Sequence, residues 1–444
     1  MAIYYVYSGA GGSNNGSSWA NAFTTLTTAF ATEAAGDTLY VAHDHAENTA
    51  ALVTLTSSGT VANPTKVICV DRGGSVPPVS ADRRATASVS SNTGNNGITL
   101  NGWTHYDGII FNAGVGTSGT AQLTIPGTSN NWIRLDNCSL RLPSTGGSAI
   151  QIGGFAGAAT GAFVELNNTT LSFNATSHIV NVAGVFKWRN TPSAVIGAAV
   201  PTILFGSVAG RGMDLDVIGV DLSAVGSGKT LVNANNSAIA GKARFIDCKI
   251  DTAVTKNSAS FASHGSNEVD FIRTGATGIN YTTYRGRISG TLDHETTIVR
   301  TGGASDGTTP IAWKIVTTAN CNFSLPFECP PIAIWNDTTG SSKTATVEGV
   351  WGGGAVPNDD DIWLEVEYLG DASSPQGSFV NDGKADLLAS AAGQTSSSET
   401  WGGSTTKFKL ACTFTPQMKG WVYGRVKVGK ASSTLYVDPL ITLT

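Results

Sequence analysis

The first forty residues switch between two hydrophobic periods. IYYVY, residues 3–7, is aromatic and β-branched, as a strand requires. The run GAGGSNNG after it must turn, because glycine and asparagine tolerate positive φ. Ser17 or Ser18 then stands where a helix cap would. Trp19, Ala22, Phe23, Leu26 and Phe30 follow at i, i+3, i+4, i+7 and i+11, which puts them on one helical face. Gly36 ends the helix, and Asp37 leads into a strand at Thr38-Leu39-Tyr40-Val41. A short helix with one apolar face needs a flat surface to cover. The open end of a stack of strands is such a surface, and left bare it would invite aggregation. The stretch is therefore expected to be a lid on the N-terminal end of a β-solenoid. An ordinary α+β start is the alternative.

From about residue 98 to 290 short alternating strands recur: WIRLDNCSL, FVELNNTTL, VFKWRNTPS, DLDVIGVDL and ARFIDCKI. With Leu135, Leu166, Trp188, Val217 and Phe245 taken as equivalent, the spacings are 31, 22, 29 and 28. A period in this range signals stacked units, each a coil that satisfies its neighbour's backbone. Asn137, Asn168, Asn190 and Asp247 fall at equivalent corners, where a ladder of such side chains would satisfy turn amides. Near residue 295 the strands lengthen, as in KTATVEGVW, DIWLEVEYL and GWVYGRVKVGK, with glycine- and serine-rich turns between them. That predicts an antiparallel β-sandwich, Ig-like or jelly-roll. Tryptophans 313, 335, 351, 363, 401 and 421 concentrate there. Most are expected in the core; an exposed few would stack on sugar rings or pack at a subunit interface.

Composition supports the all-β reading. Charged residues are 13% of the 444, about half the usual share of ~25%, and 53 residues are glycine. Net charge is −5 from 27 basic and 32 acidic residues. No basic cluster interleaves with aromatics, so nucleic acid is not expected as a partner. Cysteines 69, 138, 248, 321, 329 and 412 form no CxxC pair and are expected to behave as small buried apolar residues. The N-terminus lacks a secretory pattern, and the most apolar stretch, residues 193–210, carries proline and several glycines, so no membrane span is expected.

The YYVYS strand, the GSNNGSSWANAF turn and AGDTLYVA resemble the start of right-handed parallel β-helix proteins found among bacterial surface proteins and phage spikes. DHAEN at 44–48, ANPTKVICVDRGGSVPP at 62–78 and GNNGITLNGWTHYDGIIFNAG at 94–114 are similar to a group of tailed-phage virion proteins with this fold. The resemblance is clear over the first third and looser over the C-terminal third. It implies a structural part of a phage particle, assembled with other virion proteins and as a homotrimer, and supplies no enzyme by itself.

Candidate chemistry is sparse. His43, Asp44, His45 and Glu47 follow a strand, with His43 and His45 expected on one side as metal ligands would be, but no third ligand is evident. Asp214 and Asp216 share a strand face, with Asp221 nearby; a glycosidase needs such a carboxylate pair. Solvated corner residues are the plainer account. His178, His264 and His294 have no partner in their local motifs and are expected at the surface or in turns. Asp359-Asp360-Asp361 would suit calcium, or simply water.

The expected architecture is a cap at 1–42, a right-handed parallel β-helix at 43–295 and a β-sandwich at 296–444. No catalytic, cofactor or metal residue is assigned, no cofactor is expected, and the chain is expected not to be an enzyme. The expected function is structural: an outer capsid decoration of a tailed phage, made in the host cytoplasm and contacting the major capsid protein. The lid begins at residue 3 and leaves no N-terminal anchor, which favours the head over the tail. The alternative is a tail spike or fibre that binds or cleaves host surface polysaccharide.

Overall fold

The computed structural model describes residues 1–116, 118–127, 131–153, 161–208, 211–233, 241–251, 253–258, 267–275, 283–295, 312–351, 361–368, 378–380 and 406–444. The chain divides into two units, Met1–Tyr281 and Thr282–Thr444.

The first unit is a parallel β-helix with three sheets. The longest runs strand on strand from Ile3–Val6 through Thr38–Ala42, Thr65–Val70, Trp103–Asp107, Trp132–Asp136, Phe163–Asn167, Val185–Arg189, Met213–Ile218 and Gly241–Ile246 to Glu268–Ile272. A six-stranded sheet runs from Ala46–Thr49 to Val195–Ile196, and an eight-stranded sheet from Val53–Thr56 to Thr255–Asn257. Leu135, Leu166, Trp188, Val217 and Phe245 are direct register partners, as the repeat spacing predicts. All are fully buried, and the column continues through Phe271, whose ring stacks on Phe245 at 4.5 Å. Alternation along each strand sends one set of side chains inward and the next outward, so stacking coils builds continuous interior columns.

The corner after each strand of the long sheet from Trp103–Asp107 onward explains the asparagines. Gly108, Asn137, Asn168, Asn190, Gly219, Asp247 and Arg273 all have φ between 48° and 78°. Asparagine, aspartate and glycine are the residues that visit this left-handed region at least cost. The corner amides do not bond the asparagine side chains, contrary to expectation. Asn137 N donates to Asn167 O at 3.0 Å and Asn168 N to Arg189 O at 3.0 Å, each reaching the next coil's backbone. The side chains instead bond one another: Asn168 Nδ2 donates to Asn137 Oδ1 at 2.8 Å, and Asn137 Nδ2 to Asp107 Oδ1 at 2.9 Å.

The cap helix is shorter than its periodicity predicts. It spans only Leu26–Phe30, and Thr25, not Ser17 or Ser18, caps it by accepting from Thr28 N. Before it, Phe23 pairs with the first strand: its N–H donates to Tyr5 O and its carbonyl accepts from Tyr7 N. Positive φ at Asn14 and Gly16 and β-branched Thr24 and Thr25 favour this extended path. The apolar spacing still holds its meaning, since Ala22, Phe23, Leu26 and Phe30 are all buried.

The second unit is antiparallel. One sheet links Thr283–Arg287, Gly290–Glu295, Ala312–Thr317, Thr434–Val437, Lys343–Trp351 and Thr406–Phe414. The other links Phe327–Glu328 and Ile332–Asn336 to Gly420–Val428, that strand to Ile362–Tyr368, and Ile362–Tyr368 to Ser378–Val380. Side chains of both sheets share one apolar core. Residues 283–295, placed by sequence in the β-helix, belong here: a two-residue turn at Ile288-Ser289 folds them into a hairpin, which a parallel coil cannot contain. All six cysteines are buried.

Candidate functional site

The sequence-derived candidates within the described residues each have a definite place. Residues 43–45 form a turn, so the two histidines do not share a face. His43 is half-exposed with its Nδ1 3.6 Å from Asp71, and Asp44 pairs with Arg72 at 2.9 Å. His45 is buried: its Nδ1 accepts from Ser8 N at 2.9 Å, which fixes the neutral proton on Nε2, 3.5 Å from Glu47. Glu47 in turn accepts from Leu26 N at 2.8 Å. The motif is a buried clamp joining first strand, cap helix and second coil. Among the described residues no group of three His, Cys, Asp or Glu is placed to hold a metal ion.

Asp214 and Asp216 do point outward together, but their surroundings separate them. Asp216 is buried and gripped in two bonds by Arg244, Nε at 2.7 Å and a terminal nitrogen at 2.8 Å. Asp214 is exposed, and Asp221 is tied to Lys249 at 3.2 Å and to Ser223. Down this face, residues in register alternate in charge: Arg134, Glu165, Lys187, Asp216, Arg244, Asp270. Strands about 4.8 Å apart set each charge beside its opposite, so the column neutralises itself. Asp216 is thereby a structural ion pair, which explains its burial without chemistry.

His178 is not a surface residue. It is 1% exposed, with Nε2 2.9 Å from Gly146 O and Nδ1 facing Asn174 N. Burial pushes its pKa below the ordinary histidine value, partly offset by the bond to Gly146 O. His105 and Asp136, not singled out by sequence, meet at 2.6 Å on the outer face, where Arg134 also reaches Asp136 at 3.0 Å. Burial raises the Asp136 carboxyl, but these hydrogen bonds outweigh it and hold it below the ordinary carboxylate value. Asp359, Asp360, His264, Trp401 and the His294 side chain lie outside the described residues; Asp361 pairs with Lys430 at 3.2 Å.

The tryptophans divide sharply. Trp313, Trp351 and Trp363 are in the core of the second unit. Trp335 and Trp421 are 54% and 50% exposed, and Tyr423 is 40% exposed. Trp335 and Trp421 are register partners on neighbouring strands, rings edge to face at 5.5 Å. Tyr423 is two residues along from Trp421, opposite exposed Ala333 on one side and exposed Glu367 on the other. The result is an exposed aromatic platform, its two indoles set edge to face, with a small residue leaving room beside it and a carboxylate at its margin. The β-helix carries a second aromatic column, Trp103 on Trp132 at 6.0 Å and 22°. Those rings are half-buried because they stack on each other, so less of their faces is free.

No protein-family model and no curated protein matches the chain. Among solved structures it is similar to the enzymatically active domain of tailspike protein 4 of bacteriophage CBA120, at 9% identity and a TM-score of 0.19, covering 94% of this chain and 65% of that one. It is also similar to WceF of Pantoea stewartii, a glycan biofilm modifying enzyme with a bacteriophage tailspike-like parallel β-helix fold, at 12% identity and a TM-score of 0.24, covering 92% and 55%. The chain thus spans less than two thirds of either neighbour's length. At this level of likeness no residue of one is equated with a residue of the other.

The signal for the platform is present in the sequence as parity. In GWVYGRVKV the valines 422, 426 and 428 are buried, so Trp421 and Tyr423 on the opposite parity must face out. In IAIWN the same logic puts Ala333 and Trp335 outside.

Proposed function

We propose that this chain is a non-catalytic, glycan-binding protein on the exterior of a tailed-phage particle, a spike or fibre component that holds host-surface polysaccharide. The observation that carries the reading is the open Trp335–Trp421–Tyr423 platform. Monomeric proteins rarely leave contiguous large apolar side chains in water without a ligand or partner for them. Flat aromatic faces match the apolar C–H faces of sugar rings, and the Tyr423 hydroxyl and Glu367 carboxylate supply bonds for sugar hydroxyls. Tryptophan and tyrosine are also enriched at protein–protein interfaces, so a protein partner is the competing occupant of this surface. This moves the reading from the capsid decoration expected from sequence to its alternative, because a receptor for glycans needs such a platform and a decoration does not. Placement outside the particle and assembly as a homotrimer with other virion proteins belong to the same proposal, and rest on the sequence resemblance. The non-catalytic part is supported by the ion pairing of Asp216 and Asp221, which removes two of the three carboxylates that sequence put forward.

The test is binding of the full chain to an array of bacterial surface polysaccharides, with Trp335→Ala and Trp421→Ala as variants. Each substitution is expected to weaken binding about three- to tenfold. Because both rings are exposed, each should change stability by only about 0.5 kcal/mol. Binding unchanged in the double variant, or no glycan bound by the native chain, would overturn the reading.

A further inference from the structure

The β-helix carries a cleft of about 520 Å³, within the ~300–1,000 Å³ range of small-ligand sites. Its wall is the segment Arg83–Arg84–Ala85, and its floor is the outward column Ile110, Ser139 and Thr170 of the six-stranded sheet. Three arginines line it, Arg83, Arg84 and Arg141, against one aspartate, Asp107. In a chain with net charge −5 this is a local reversal of sign.

The three cations are not equally engaged. Arg84 is held by Asp71 at 3.0 Å and by the carbonyls of Ala81 and Arg83. Arg83 places one terminal nitrogen 2.9 Å from the buried Asp107 and is itself half-exposed. Arg141 has no ion pair among the described residues. Its Nε donates to Ser139 Oγ at 3.0 Å, and Thr170 Oγ1 donates to the same oxygen at 2.9 Å. That bond fixes the guanidinium and leaves its two terminal nitrogens for the cleft. Its register neighbours, Asn112 and Ser172, are neutral, unlike the alternating charges of the long sheet. A half-buried, oriented, unneutralised arginine beside two more lacks only an anion, and a guanidinium fork matches a carboxylate in two parallel bonds. The floor hydroxyls of Ser139 and Thr170 suit a hydroxyl-rich ligand rather than a bare ion.

We infer that this cleft binds the carboxylate-bearing sugar of an acidic polysaccharide, with Arg141 as the specificity-determining residue. The sugar half of the inference rests on the glycan-binding reading above; the acidic half rests on the arginines alone.

The experiment titrates the full chain by isothermal titration calorimetry with three probes: tetrasaccharides of galacturonate and of glucuronate–N-acetylglucosamine, the methyl ester of each, and inorganic phosphate. Arg141→Ala, Arg141→Lys and the Trp335→Ala/Trp421→Ala double variant are compared with the native chain. An acidic tetrasaccharide should bind, its ester should not, and Arg141→Ala should weaken binding about ten- to a hundredfold. Arg141→Lys should restore only part of it, because lysine keeps the charge without the fork, and the tryptophan variant should leave it intact. Esters binding as well as acids, neither acid binding, or Arg141→Ala binding normally would each overturn the inference. Phosphate binding as tightly as the acids and equally dependent on Arg141 would overturn its sugar half. Loss of neutral-glycan binding in the tryptophan variant alone, without any acid binding, would sink this inference and leave the proposed function standing.

Discussion

The left-handed corner makes a claim that one substitution series can decide. Asn168 sits at φ 48°, its side chain bonded to Asn137 at 2.8 Å and exposed to water. Replacing it with alanine keeps a Cβ in the left-handed region, which costs roughly 1–2 kcal/mol for a residue without asparagine's local compensation. Loss of an exposed side-chain hydrogen bond adds about 0.5 kcal/mol, the lower end of the range. Asn168→Ala should therefore destabilise by about 1.5–2.5 kcal/mol. Asn168→Gly loses the same bond but no longer strains the backbone; its penalty is the extra freedom of the unfolded chain, about 0.5–1 kcal/mol. At a strand position the order is the reverse, with glycine the worse residue by that same amount. Thr124, half-buried on a strand of the eight-stranded sheet, serves as the control, with Thr124→Ala and Thr124→Gly. Urea unfolding followed by circular dichroism reads the four variants. Glycine should beat alanine at 168 and lose to it at 124. If alanine equals or exceeds glycine at 168, backbone conformation does not select asparagine at these corners, and the side-chain ladder must account for it.

Two further outcomes follow from the interior. His178 is neutral and buried in the folded chain, and its pKa is lowered by burial, so the unfolded chain binds the proton more readily. Its contribution is full above the unfolded pKa of about 6.5 and is lost as pH falls from there toward the folded value. Melting temperature should drop between pH 7.5 and 5 more steeply in the native chain than in His178→Gln; equal slopes would refute the assignment. Phe205 is fully buried, with Phe186, Trp188 and Phe245 at ring distances of 6.1, 6.3 and 6.2 Å. Phe205→Ala should cost about 3–5 kcal/mol by urea unfolding, and a loss under about 1 kcal/mol would show that the stack is not a packed core.

Interior columns were legible because a solenoid repeats one local problem. Leu135, Leu166, Trp188, Val217 and Phe245 differ in shape but meet the same demand, an apolar side chain flanked by outward polar ones before a corner. Arg273 at the last such corner was not legible, since nothing in arginine signals positive φ; its pairing with Asp247 at 2.6 Å holds it there. The cap helix failed in the opposite way. Trp19 kept helical spacing with Phe23, yet packs against Tyr5 at 4.7 Å from a non-helical segment, because edge pairing of Phe23 with the first strand outcompeted helix formation. Spacing reported which side chains are buried, and the backbone found another way to bury them.

Outward-facing chemistry obeys a different rule, and this explains why carboxylate spacing along the chain misled. Asp214 and Asp216 look like a pair only when read along their strand. Read across the coils, the nearest charges to Asp216 are Lys187 and Arg244, each 28 or 29 residues away. In a parallel stack those neighbours are about 4.8 Å off, closer than the second residue along the same strand at about 6.6 Å. Electrostatic identity therefore belongs to the column, and a charge whose column answers it is structural. By the same test Arg141, flanked by Asn112 and Ser172, is unanswered, and Trp335 and Trp421 face water where Trp313 and Trp351 do not. Column and parity are the two readings that separate residues holding this fold from residues available to a ligand. Both can be applied to any coil once a single register pair is known.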